Sequence, residues 1–157
     1  MPYSGADVLA HLSELARQRA ELPRISTVLV ISRLEATGEL IQSALRAVVG
    51  YEADIVVCPN VAEAIRTLRD RQPQIAFICD DKHLAIEWFQ ATAQSIRKAG
   101  LACPLAFILE HVSSQLRCQL LDIGALDVFH RDEVCGLRLR ESLLKLAVQT
   151  PDASALP

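Results

Sequence analysis

Five short apolar runs recur along the chain and are separated by longer stretches rich in polar residues. The runs are TVLVI (27–31), ADIVV (53–57), QIAFI (74–78), PLAFIL (104–109) and LDVFH (126–130). Runs of this length predict strands, and the continuously apolar third and fourth runs are typical of strands that are covered on both faces. The pattern therefore predicts a buried parallel sheet.

The stretches between the runs have a helical period. The predicted helices and their apolar stripes are 35–49 (Leu40, Ile41, Ala44, Leu45, Val48), 61–71 (Val61, Ile65, Leu68), 84–99, 114–123 (Leu116, Leu120, Ile123) and 134–149 (Leu139, Leu143, Leu146, Ala147). Asn60 is placed to cap the second helix, and Gly100 and Gly124 are placed to end the third and fourth. Five successive strand–helix units predict an α/β fold with helices on both faces of the sheet and right-handed crossovers.

A further helix is predicted before the first strand, over residues 6–21, and Pro23 ends it. Its apolar stripe consists of Val8, Leu12 and Leu15. Such a stripe suits either packing on the domain or dimerisation. The composition of the tail predicts a disordered terminus or the start of a linker. We therefore divide the chain into an N-terminal helical extension (1–23), one α/β domain (24–149) and a tail (150–157).

The composition agrees with this fold class. Apolar residues make up 51% of the 157 residues but aromatic residues only 4%, so aliphatic side chains must supply the core. The net charge of −3, with basic and acidic residues interspersed, gives no electrostatic reason to expect nucleic acid or a membrane as partner. Because no signal-peptide pattern and no apolar run near 18 residues is present, a cytoplasmic location is expected.

The cysteines are odd in number, widely spaced and without a CxxC pair. They are Cys58, Cys79, Cys103, Cys118 and Cys135. This spacing predicts neither a disulfide framework nor a zinc site, and it fits a reducing compartment. The sequence contains no GxGxxG or Walker-type loop either. No cofactor and no metal are therefore expected.

Two segments resemble the receiver domain of bacterial two-component response regulators. GYEADIVVCPNVAEAIRTLRDRQPQIAFICDD (50–81) is similar to the second strand, second helix and third strand of that family. LLDIGALDVFHRDE (120–133) is similar to the end of its fourth helix, its G-A-x-D turn and its fifth strand. The resemblance covers about residues 25–148. It implies a flavodoxin-like three-layer sandwich with a five-stranded parallel sheet in the order 2-1-3-4-5.

Receivers carry a phosphoryl group on an aspartate that ends the third strand, next to Mg²⁺ held by an acidic pair after the first strand. The resemblance places Ser32 and Arg33 at the acidic pair. It places Cys79 at the phosphoacceptor, although a bulge of one residue would bring Asp80 there. The whole degenerate pocket consists of Ser32, Arg33, Cys79, Asp80, Asp81, Leu109 and Arg131.

Three further positions of the family's switch are also replaced. Leu109 occupies the position of the family's small hydroxyl residue at the end of the fourth strand. Arg131 occupies the position of the family's lysine at the end of the fifth strand. Val128, beside Phe129, stands at the switching aromatic residue. We hypothesise that Arg33 and Arg131 pair with Asp80 or Asp81 and imitate a permanently neutralised pocket.

The resemblance thus implies an atypical receiver, or pseudo-receiver, that is not an enzyme and signals by contacts with a protein partner or as a homodimer. The candidate partner face consists of Arg117, Asp122, Asp127, Arg138 and Lys145. Two alternatives stay open. One is a functional receiver phosphorylated at Asp80. The other is a flavin- or nucleotide-binding module whose phosphate loop, SRLEATG (32–38), offers hydroxyl and glycine residues but also the unfavourable charge of Glu35.

Overall fold

The computed structural model describes residues 22–80 and 86–149, and within these ranges one sheet of five parallel strands forms the centre of the fold. The strands are β1 (Thr27–Ile31), β2 (Asp54–Cys58), β3 (Ile75–Asp80), β4 (Leu105–Leu109) and β5 (Asp127–His130). Their order in the sheet is β2-β1-β3-β4-β5, which confirms the predicted order. Every predicted strand lies within two residues of an observed one.

A helix follows each strand. The helices are α1 (Glu35–Val49), α2 (Val61–Leu68), α3 (Ile86–Lys98), α4 (Ser114–Asp122) and α5 (Gly136–Gln149), and a short 3₁₀ turn (Arg131–Glu133) precedes α5. The predicted cap of α2 is confirmed, because the Asn60 side chain accepts a hydrogen bond of 2.9 Å from the Glu63 amide. Gly124 after α4 has a φ of 103°, a backbone conformation that favours glycine.

Two apolar clusters cover the two faces of the sheet. The first lies between the sheet and α2, α3 and α4, and the second lies between the sheet and α1 and α5. Successive residues of a strand alternate between the clusters: Leu29 of β1 belongs to the first, whereas Val28 and Val30 belong to the second. Every residue of β1 and β4 is buried, which agrees with their almost continuously apolar sequences.

Three positions of the predicted apolar stripes are wrong. Leu40 and Ile65 are 50% and 38% exposed, and Ala147 is also exposed. In α2 the stripe that faces the sheet contains the small residue Ala64 together with Leu68, so the larger Ile65 points outward. The helix α2 also ends at Leu68 rather than at residue 71.

The predicted N-terminal helix, the tail and Asp81 lie outside the described residues. The described part of the chain begins at Leu22, which together with Ile25 packs against the cluster under α1 and α5. The chain therefore reaches β1 from the layer of these two helices. None of the described helices combines the length and the apolar character that crossing a membrane would require.

Candidate functional site

The ends of four parallel strands meet at one edge of the sheet, which is where α/β folds bind their ligands. The strand register places Asp80 beside Leu109, and Leu109 beside His130. Ser32 and Arg33 follow the end of β1 at the same edge, and Arg131 follows the end of β5. The fold thus places the described members of the predicted pocket along one edge of the sheet.

The two residues after β1 are unsuited to hold Mg²⁺. Ser32 is 5% exposed, and its hydroxyl donates a hydrogen bond of 2.8 Å to the Leu34 carbonyl. Its amide donates to the Cys58 carbonyl at 2.9 Å, which fixes the loop to β2. Arg33 is exposed and positively charged. Mg²⁺ prefers carboxylate oxygens, so this pair of residues does not fit a dication.

The same loop is also poorly arranged for a phosphate group. The hydroxyl of Ser32 is already engaged, and both Thr37 and Gly38 are buried in α1. A phosphate loop needs free amide and hydroxyl groups that wrap the anion. The local geometry therefore disfavours the flavin- or nucleotide-binding alternative.

Cys79 lies inside the second cluster. It is 6% exposed and is grouped with residues of α1 and α5. Its register partner in β4 is Ile108, which belongs to the same cluster. The residue that ends β3 at the ligand-binding edge is Asp80, one position later.

The two positions that move in a switching receiver are filled by buried aliphatic side chains. Leu109 and Val128 are each 1% exposed and pack in the first cluster. Leu109 has no hydroxyl group that could follow a phosphoryl group, and Val128 has no ring that could turn inward. At these two positions the structure contains core packing instead of hydrogen-bonding groups.

Arg131, at the position of the family's lysine, forms an ion pair with Glu110, the residue that follows β4. Arg131 Nη2 lies 3.6 Å from Glu110 Oε1, and both side chains are about one-third exposed. Next to this pair is an open cavity of about 420 Å³ that is lined by Glu110, His111, Val112, Ser113, Leu116 and His130. The His130 Nδ1 accepts a hydrogen bond of 2.9 Å from the Asp132 amide. The charge of Arg131 is therefore already partly neutralised by Glu110.

A second polar cluster, which the sequence did not predict, joins β5 to α5. Asp127 is 0% exposed. Its carboxylate accepts hydrogen bonds from Arg138 Nη1 and Nη2 at 2.7 and 3.0 Å, from Ser142 Oγ at 2.6 Å and from Lys145 Nζ at 2.9 Å. The Val128 amide also donates to it, at 2.9 Å. The buried charge thus has charged and neutral donors on every accessible side.

The surroundings of Asp127 determine its ionisation. Burial alone raises the pKa of the carboxyl, but the hydrogen bonds from Arg138, Ser142 and Lys145 and the charge of Arg138 outweigh burial. The pKa of Asp127 is consequently held well below its usual range. The same contact raises the pKa of Arg138, against the opposing effect of burial. Both groups are charged at neutral pH.

These contacts correct the predicted partner face. Asp127 cannot touch a partner, because it is fully buried, and Arg138, with a side chain only 14% exposed, is held against it. Lys145 remains 42% exposed although its amine binds Asp127. Arg117 and Asp122 of α4 are exposed as predicted. Charged residues are rarely fully buried unless they are paired, and the prediction missed the pairing.

A signal for this cluster does exist in the sequence. Arg138, Ser142 and Lys145 are spaced by four and three residues, so they share one side of a helix. The strand before that helix begins with an aspartate. Three donors on one stripe after a strand-initial carboxylate therefore indicate a buried ion cluster between the two elements.

Comparisons with known proteins identify the fold. No family model matches the sequence, and no curated protein matches it. A solved response regulator from Desulfuromonas acetoxidans matches with a TM-score of 0.62 at 17% identity, over 80% of this chain and 99% of that chain. The BeF3-activated N-terminal receiver domain of RstA from Klebsiella pneumoniae matches with a TM-score of 0.59 at 17% identity, over 78% and 99%.

A third similar structure has a different role. The pilus assembly protein CpaE from Caulobacter crescentus matches with a TM-score of 0.61 at 13% identity, over 83% of this chain and 97% of that chain. At such identities the likeness establishes the fold alone. This chain has the fold of response regulator receiver domains.

Proposed function

We propose that this receiver-fold chain is a signalling module that works by binding another protein and is not phosphorylated by the usual Mg²⁺-dependent route. The observation that carries the proposal is the set of residues at the edge of the sheet. Ser32 and Arg33 replace the metal-binding acids, and Leu109 replaces the hydroxyl residue of the switch. Without metal ligands, no bound Mg²⁺ would offset the charge of an incoming phosphoryl group.

In this proposal the pocket is neutralised permanently. The Glu110–Arg131 pair supports that idea, since the residue at the lysine position already has an acidic partner. Arg33 lies exposed beside the same edge. The Glu110–Arg131 pair joins the segments that follow β4 and β5, and in this proposal it holds them in one arrangement, as a phosphoryl group would do only transiently.

The partner binds, in this proposal, through the exposed charges of α4. Arg117 and Asp122 are exposed, and both lie outside the Asp127 cluster. Exposed charges of this kind set partner choice and association rate more than affinity. Once a partner has been identified, reversing the charges of Arg117 and Asp122 should slow the association of this chain with that partner. Reversing Glu63 and Arg66, an exposed pair on α2 with a separation of 2.7 Å, should not.

The test is an amide NMR titration of the whole chain with Mg²⁺ and then with beryllofluoride, which mimics an acyl phosphate. We expect no saturable shift at the ends of β3, β4 and β5. As a positive control, the triple variant Ser32→Asp, Arg33→Asp and Leu109→Thr restores the two acids and the hydroxyl group of the family. This variant should gain a response to Mg²⁺. It shows that the assay can detect binding.

The second candidate function is that of a receiver phosphorylated at Asp80. The position of Asp80 favours it, since this residue ends β3 beside Leu109 at the ligand-binding edge. Shifts in the wild-type titration that vanish in Asp80→Asn would establish this candidate and overturn the proposal. Shifts that persist in Asp80→Asn would indicate an anion site elsewhere and would leave phosphorylation of Asp80 without support.

The likeness to a pilus assembly protein bears on the kind of partner. CpaE has the same fold as this chain and is named for assembly rather than for phosphorylation. We therefore include components of an assembly apparatus among the candidate partners. The titration above separates an assembly component from a receiver phosphorylated at Asp80, because an assembly contact requires no response to beryllofluoride.

A further inference from the structure

The helices α1 and α5 lie side by side over the second cluster and approach each other closely. A methyl group added at Gly136, the first residue of α5, would lie 3.5 Å from Val48 Cγ2 and 3.8 Å from Ala47 Cβ. The backbone carbonyl of Ala44 is also 3.8 Å away. Small residues at this crossing let the two helices approach each other closely.

Exposed apolar side chains lie on both helices of this pair. Leu40 on α1 is 50% exposed, and Leu137 on α5 is 67% exposed. Ala44 and Leu144 are half-buried, and Ala47 is exposed. We call the surface formed by these five residues the α1–α5 groove. Exposed apolar residues on two helices in contact, unlike a single exposed leucine, indicate an interaction site.

The spacing of the groove residues identifies the shape of its occupant. Leu40, Ala44 and Ala47 are separated by four and three positions, so they follow one side of α1. Small residues at the second and third of these positions leave room for large side chains of an adjacent helix. The groove therefore suits an amphipathic helix with large aliphatic residues at the same spacing.

We propose that the occupant of the α1–α5 groove is the chain's own N-terminal segment, residues 6–21. Its apolar positions Val8, Leu12 and Leu15 are also separated by four and three residues. A helix over this segment would be about 24 Å long, which is close to the length of the 15-residue α1.

The start of the described chain leads to the groove. Leu22 and Ile25 pack on the cluster directly beneath α1 and α5. Gln74, which precedes β3, accepts from the Ser26 hydroxyl at 3.2 Å and donates to the Arg24 carbonyl, so the chain is fixed where it enters the sheet. A segment that turns back at Pro23 starts on the layer of α1 and α5 and needs no long linker to reach the groove.

Hydrogen exchange of the whole chain, followed by mass spectrometry, tests the proposal. We expect peptides within residues 6–21 to be protected in the wild type. Leu137→Asp should raise their exchange rates by at least about tenfold, because it places a charge in the apolar contact. Leu121→Asp is the matched control, since Leu121 is 39% exposed on α4, on the other face of the sheet, and should leave residues 6–21 protected.

Two results would overturn the proposal. The first is the absence of the expected effect. Either residues 6–21 of the wild type exchange at the rate of an unstructured peptide, or Leu137→Asp leaves their protection unchanged. The second is protection that disappears on dilution together with a dimer seen by light scattering, which would assign the groove to a second copy. Comparing the exchange of α5 itself in each variant shows that the fold is intact, so a global loss of structure cannot imitate the expected result.

Discussion

The guanidinium of Arg138 binds the carboxylate of Asp127 through two nitrogens, at 2.7 and 3.0 Å. The same guanidinium lies over the ring of Phe129, with its central carbon 4.3 Å from the ring centroid. One side chain of α5 thus contacts the first and third residues of β5. Because bidentate and cation–π contacts both restrict orientation, this arrangement fixes the rotation of α5 about its axis.

Replacing Asp127 with Asn should destabilise the domain strongly. The substitution keeps the shape of the side chain but removes the charge that Arg138 and Lys145 neutralise, so we expect the free energy of unfolding to fall by about 3 kcal/mol. Urea denaturation measures the change. Asp122→Asn, at an exposed position on α4, is the control and should stay within about 0.5 kcal/mol of the wild type. Equal losses in the two variants would contradict this account.

The Asp127 cluster should also make stability depend on acid pH. The pKa of Asp127 is lowered in the folded state relative to about 3.9 in an unfolded chain. The carboxylate therefore contributes stability that is complete above the unfolded pKa and is lost as the pH falls towards the folded pKa. The difference in unfolding free energy between the wild type and Asp127→Asn should be constant from neutral pH to about 5 and should narrow below about 4. A difference that grows on acidification would refute the assignment.

Gly38→Ala should destabilise the domain although alanine favours helices. The added Cβ would lie 2.9 Å from Val57 Cγ1, too close for the stiff β-branched side chain to accommodate without a shift. Overpacking costs about 1–3 kcal/mol and the gain in helix propensity is about 1 kcal/mol, so a small net loss is expected. The double variant with Val57→Ala should recover stability, whereas Val57→Ala alone should have little effect because Val57 is 38% exposed. Thermal unfolding measures all three.

The cysteines should differ in their rates of alkylation. Burial, only partly offset by a backbone hydrogen bond, raises the pKa of Cys103 to about 11. Cys118 and Cys135 are exposed. At pH 8 iodoacetamide should modify the two exposed thiols first, and Cys103 more slowly by at least about tenfold, because Cys103 is less accessible and less of it is present as the reactive thiolate. Peptide mapping gives the rates. In urea the rates should converge, and a difference that persists there would mean that burial is not the cause.

The strands and the cap of α2 were predictable because local patterns specify them. The runs around Val30 and Phe77 are apolar on both faces, and Asn60 is followed by a helical period. The exposure of the Ile65 side chain on the outer side of α2 was not predictable from such a local pattern. In α2 the small residue Ala64 faces the sheet, and only the position of the neighbouring layers shows that a small residue is needed there.

The candidate site could be predicted less completely than the fold. The replacement of the metal ligands by Ser32 and Arg33 can be read from the resemblance. The partner of Arg131 could not, since Glu110 approaches it only when β4 and β5 pair. The resemblance placed Asp127 on the candidate partner face, and its burial becomes evident only when α5 packs over β5.

Both edge strands of the sheet begin with an aspartate that is paired with an arginine. At one edge Asp54 of β2 pairs with Arg71, and at the other Asp127 of β5 pairs with Arg138. Edge strands offer unpaired backbone groups to other chains, and charge at an edge opposes that kind of pairing. The two pairs act differently: the half-exposed Asp54–Arg71 pair places charge at the β2 edge and opposes the addition of a strand from a neighbouring molecule, whereas the buried Asp127–Arg138 pair holds α5 against the β5 edge.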